Sequence, residues 1–104
     1  MNHLGDLSYE RFLSFLRYIK KNSGLLAAEF MLESLKKGDS LDSLLKKHNG
    51  YGYSLKIANL SGAKCKIEFG CQVDMTAGDG GEWTVSFDKD DKVSKCVTDD
   101  QWIS

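Results

Sequence analysis

The residues with the most reactive side chains are three cysteines (Cys65, Cys71, Cys96) and two histidines (His3, His48). A thiol becomes a nucleophile only as a thiolate, which needs a nearby base or a positive field. His48 is the one imidazole in the body of the chain, and no carboxylate in its neighbourhood is placed to orient it. Cys65 and Cys71 are six residues apart, which is not a zinc-knuckle spacing, and no two cysteines form a C-x-x-C pair. Both fall on the apolar phase of an alternating segment, so they read as small core side chains. His3 and His48 are too few and too scattered for a metal site. Neither a catalytic residue, a metal nor a cofactor is expected.

Three further patterns come close to known chemistry and fail on a required position. Asp88-Lys89-Asp90-Asp91 resembles the start of a calcium loop. The next ligand position is Lys92, the turn glycine is missing, and the twelfth residue is Asp99 where a bidentate glutamate is needed. Gly78-Asp79-Gly80-Gly81 has the glycines of a phosphate cradle but neither the G-K-[ST] nor a following helix. Residues 35–60 loosely follow a helix-turn-helix, with the later strands as a wing. Lys46 then occupies a packing position, and the recognition segment (54–60) carries one cation, Lys56, and alternates like a strand. Binding to nucleic acid is therefore not expected, and a winged-helix-type DNA-binding protein is the weakest reading.

What remains is charge. The formal net charge is −1, but residues 1–73 hold 11 Lys/Arg against 7 Asp/Glu, whereas residues 74–104 hold 3 against 8. The acidic half also carries aromatic residues. Asp79, Glu82, Asp88, Asp90, Asp91, Asp99, Asp100 and Trp102 form the expected partner-binding set, with Trp83 and Phe87 among them. Clustered carboxylates attract basic protein surfaces, and tryptophan is a frequent interface anchor.

These side chains must be positioned by a small fold. A chain of 104 residues is expected to form one domain over its whole length. It has 41% hydrophobic and 28% charged residues, ordinary for a globular protein. No apolar run approaches the roughly 18 residues of a membrane span, and the first residues lack the pattern of a signal peptide. An odd cysteine count suits free thiols. A cytoplasmic location without membrane attachment is expected, so the Asn59-Leu60-Ser61 sequon has no consequence.

The first half, about 7–49, is expected to be helical. Ser8 is a natural N-cap for a helix over Tyr9–Lys21, with Leu7 and Phe12 in staple positions. Tyr9, Phe12, Leu13, Leu16 and Ile19 recur at helical spacing. A second helix is expected over Leu25–Lys37, capped by Ser23 and ended by Gly38. Its stripe of Leu25, Ala28, Leu32 and Leu35, widened by Phe30 and Met31, suggests burial on more than one side. A short third helix would start at Asp39 or Ser40 and carry Leu41, Leu44, Leu45 and His48.

From Tyr53 the apolar period changes to two. Tyr53, Leu55 and Ile57 alternate with polar residues, and Asn59–Gly62 turns the chain. Cys65, Ile67, Phe69, Cys71, Val73 and Met75 define a long half-buried strand, with a bend expected at Gly70. Residues 76–81 read as a flexible connection. Trp83, Val85 and Phe87 make a third strand, Asp88–Asp91 a tight turn, and Lys92–Val97 a weaker fourth strand. The fold class expected is α+β: two to three N-terminal helices packed on a four-stranded antiparallel meander over about 53–98.

In size, layout and charge the chain is similar to the small intracellular immunity proteins that neutralise bacterial nuclease toxins. That likeness implies a non-enzymatic inhibitor that caps a basic protein partner. The alternative is a small-molecule-binding or isomerase-type cone, with the Cys65–Met75 strand lining a pocket beneath the helices.

Overall fold

The computed structural model describes residues 7–40, 52–60, 63–73 and 76–102. Helix α1 spans Tyr9–Ser23 and α2 spans Leu26–Lys36. They are followed by β1 (Gly52–Asn59), β2 (Lys64–Val73), β3 (Thr76–Phe87) and β4 (Val93–Trp102). The sheet order is β1-β2-β3-β4 with every neighbouring pair antiparallel, so the α+β meander is the architecture of the protein. The expected third helix and His48 lie outside the described residues, as do His3 and Met75.

Helix α1 starts where its cap dictates. The Ser8 hydroxyl accepts a hydrogen bond from the Arg11 N–H at 3.1 Å, satisfying a first-turn donor that has no partner within the helix. Leu7 and Phe12 are both buried, as a hydrophobic staple requires. The helix ends at Gly24, whose left-handed conformation (φ 62°) lets its N–H reach the Lys20 carbonyl at 3.1 Å.

Ser23 does not cap α2. It is the last residue of α1, and only Gly24 and Leu25 separate the helices. Leu25 takes the cap position without a side-chain bond and buries its own side chain. The width of the α2 stripe is also corrected. Ala27, Ala28 and Met31 are buried, but Leu26 and Phe30 are each 53% exposed. The inner face is therefore the narrow one of Ala27, Ala28 and Met31, and Leu26 and Phe30 fall outside it.

The core lies between the helices and one face of the sheet. Phe12 and Phe15 on α1 meet Phe69 on β2 and Trp83 on β3. The Phe12–Phe69 rings stand edge to face with centroids 6.2 Å apart, and Phe15–Trp83 do so at 5.4 Å. The indole of Trp83 extends across Gly81 on its own strand. A Cβ at Gly81 would sit 2.8 Å from the ring and 2.6 Å from the Asp100 carbonyl, so glycine is required by close approach. Cys65, Ile67, Phe69 and Val85 complete the buried inner face. On the edge strand β1, Tyr53, Leu55 and Ile57 pack against this core but are only partly buried.

Two links tie α1 to the far end of the sheet. Ser14 accepts a hydrogen bond from the Val93 N–H at 3.1 Å through its hydroxyl. Arg11 pairs through Nε with Asp91 at 2.7 Å while its guanidinium lies 5.2 Å from the centre of the Phe87 ring.

The strands extend beyond their apolar alternation. Residues 76–81 are the start of β3 and not a flexible connection, because β2 offers a paired backbone opposite them, with Gly70 facing Gly80. Likewise β4 runs on past Val97 to Trp102, since β3 supplies a partner as far as Gly80. Backbone pairing does not require apolar side chains. The pairing passes through Gly70 without interruption, and the irregularity in β2–β3 lies between Cys71 and Val73.

Candidate protein-binding face

The helices cover one face of the sheet, and the register determines what stands on the other. Lys56, Glu68, Glu82 and Asp100 are direct cross-strand partners from β1 to β4. Facing residues on adjacent strands have Cα atoms about 4.5–5.5 Å apart, so three carboxylates sit side by side in one row. Like charges directly opposite one another are unfavourable. Lys66, one row along on β2, relieves part of that cost through an ion pair with Glu82 at 3.1 Å. The Lys66 ammonium is held above its ordinary pKa, first by its hydrogen bond to Glu82, then by the charges of Glu82 and Asp99.

Asp99 joins this row through a bulge. Between Glu82 and Trp83, β4 takes one residue more than β3, and the extra residue is Asp99. Its carboxylate accepts a hydrogen bond from the Thr84 hydroxyl at 2.6 Å. Thr84 faces Val97, which is 44% exposed and gives the acidic face an apolar edge.

The remaining candidates are elsewhere. Asp88, Asp90 and Asp91 form the β3–β4 turn. The Asp88 carboxylate accepts from the N–H groups of Asp90 (2.8 Å) and Lys92 (3.0 Å), and Asp91 has a left-handed backbone (φ 62°). With Asp91 paired to Arg11, two of these three carboxylates are engaged in holding the turn and its contact to α1. Asp90 is exposed. Asp79 lies in β3 opposite Cys71, and Trp102 in β4 opposite Gly80, toward the other end of the sheet. The acidic half is thus divided between a turn, a face and a strand end. Glu68 belongs to the face and was missed in the sequence, because it stands in the basic half and joins the acids only by register.

None of the three cysteines is in a disulfide. Cys65 faces Val85, which faces Cys96, so the two cysteines are two strand spacings apart, about 10 Å, beyond disulfide reach. Burial pushes the Cys65 thiol up, against a lowering by Arg11. Burial, Asp99 and Cys65 together push the Cys96 thiol up to about 11. Both effects oppose thiolate formation, the reverse of what a nucleophile needs. No group of three or more metal-ligating side chains converges among the described residues. No helix among them is long and apolar enough to cross a membrane.

A cavity of about 740 Å³ lies between α1 and α2, and another of about 240 Å³ lies beside Leu7, Cys65 and Phe87. Compared with known proteins, the chain matches no family model, no curated protein and no solved structure.

Proposed function

We propose that the protein is a non-enzymatic, cytoplasmic binding protein whose acidic sheet face caps a basic protein partner, as bacterial immunity proteins cap nuclease toxins. The row Glu68, Glu82 and Asp100 carries this reading, joined by Asp99, on the face that the helices leave bare. Lys56 opposite Glu68 and Lys66 paired to Glu82 offset part of the repulsion among the three carboxylates. Asp100 at the β4 end of the row has no cation opposite it, so a cationic partner turns the remaining cost into attraction. The exposed Val97 at its edge supplies apolar contact area. The turn carboxylates, Trp102 and Asp79 would lie around this centre as its periphery.

The test separates the face from the turn. Glu68→Gln, Asp99→Asn and Asp100→Asn are combined in one variant, which leaves the Asp88 and Asp91 contacts intact. Immobilised wild-type protein is expected to capture a basic protein from a lysate of its native host, and the triple variant to lose it. With the captured protein purified, the variant's association rate should fall about tenfold or more at low salt. That difference should shrink as salt rises and screens the field. Equal association rates for wild type and variant would reduce the acidic face to a solubility feature.

A further inference from the structure

The cavity of about 740 Å³ between α1 and α2 is a separate feature, and its lining is two-sided in character. Leu13 from α1 and Leu32 and Leu35 from α2 make an apolar floor, with Tyr9 at one end. Arg17, Lys20 and Lys21 stand along one wall and Lys36 on the other, against the single carboxylate of Glu33. Among the described residues none of these four cations is in an ion pair, although the chain contains 15 Asp and Glu. Arg11 and Lys66, in contrast, are each paired with a carboxylate.

The helix dipole accounts for cations in the last turn of a helix, where Lys20 and Lys21 lie. It does not account for Arg17, a turn earlier, or for the leucine floor below all of them. The volume falls within the ordinary range of small-molecule sites, about 300–1,000 Å³. From Tyr9 to Lys21 the wall runs about 18 Å at 1.5 Å per residue, long enough for an extended chain.

We infer that this groove binds a free anionic amphiphile, its aliphatic tail on Leu13, Leu32 and Leu35 and its carboxylate or phosphate head among Arg17, Lys20 and Lys21. Long cationic side chains suit such a site, because their methylenes cover the tail while their charged ends meet the head. The site is independent of the acidic sheet face, so either can fail without the other.

Calorimetric titration with sodium dodecanoate, below its micelle concentration, tests the site on the intact chain. One dodecanoate should bind per chain and saturate. Dodecyltrimethylammonium, with the same tail and the opposite head, should bind at least tenfold more weakly, and acetate should give no saturable heat. Arg17, Lys20 and Lys21 are exposed, so R17Q/K20Q/K21Q should fold as wild type by circular dichroism and lose about tenfold or more in dodecanoate affinity. Leu32→Gln should weaken binding through the tail. Absence of saturable dodecanoate binding overturns the proposal, as does equal affinity for the two head groups or unchanged affinity in the folded triple variant. Association with anionic-lipid vesicles without binding of free dodecanoate would also overturn it, replacing a ligand groove by a membrane-docking surface.

Discussion

The two faces of the central strands are built on opposite terms. On the face under the helices, Ile67 pairs with Trp83 across β2 and β3, both fully buried, and Phe69 stands opposite Gly81 so that the indole has room. One residue along the same strands, Glu68 stands opposite Glu82, and Glu82 opposite Asp100. The inner face is dense and complementary, and it is where the stability resides. The outer face carries a local electrostatic cost and contributes little to the core. The same backbone pairing thus supports a structural surface and, one residue away, a surface suited to a partner.

The sharpest way to break this comparison is to truncate the inner face. Trp83→Ala should destabilise the fold by about 3–5 kcal/mol, because it removes the largest buried side chain among the described residues and the space left cannot collapse fully. Trp83→Phe should cost clearly less. It keeps an aromatic ring against Phe15 and removes an indole N–H that has no hydrogen-bond partner. Urea unfolding of both variants checks the order, and a Trp83→Ala midpoint within error of wild type would contradict the buried face.

A pH experiment sharpens the comparison at the boundary between the faces. Cys96 faces Val85 on the inner side, and its thiol is pushed up to about 11 from an ordinary 9.0. The folded state therefore holds this proton more tightly than the unfolded chain does. The stability this provides is complete below about pH 9 and is lost as pH rises through about 11. Unfolding midpoints should fall between about pH 9 and about pH 11, and Cys96→Ala should make that fall smaller. An identical fall in the variant would assign the effect to other groups.

The smallest expected effect lies on the outer face and has the opposite sign. Asp100→Asn removes the carboxylate that faces Glu82 with no cation opposite it, and should raise stability by a few tenths of a kcal/mol at low salt. The gain should fade as salt is added. A loss of stability at low salt would mean that the Asp100 charge contributes a favourable contact and that the row costs the fold nothing.

Much of this architecture was legible along the chain, because the responsible forces act locally. Ser8 marks the start of α1, since unpaired N–H groups there need a specific neighbour, whereas its end, expected at Lys21, lies two residues on at Ser23, where Gly24 stops it. The two-residue period over residues 53–57, 65–71 and 83–87 assigns the inner face residue by residue, because adjacent side chains on a strand must point to opposite sides. The ends of β3 and β4 were not legible in that way. Residues 76–81 and 98–102 lack apolar alternation, and they become strand because a paired backbone lies beside them.

The candidate sites belong to the tertiary structure even more completely. The acidic composition of residues 74–104 is plain in the sequence, but composition does not place charges. Register brings Glu68 beside Glu82 and Asp100, a bulge adds Asp99, and tertiary packing assigns Asp91 to Arg11. The groove between α1 and α2 has the same origin, with Leu13 and Arg17 from one helix and Leu32 and Leu35 from the other. Periodicity determined which residues of α1 and of the alternating strand segments turn inward, because that depends only on the geometry of the single element, whereas on α2 it included the exposed Phe30. Which outward residues meet across elements depends on strand register and helix pairing, and only the packed chain decides those.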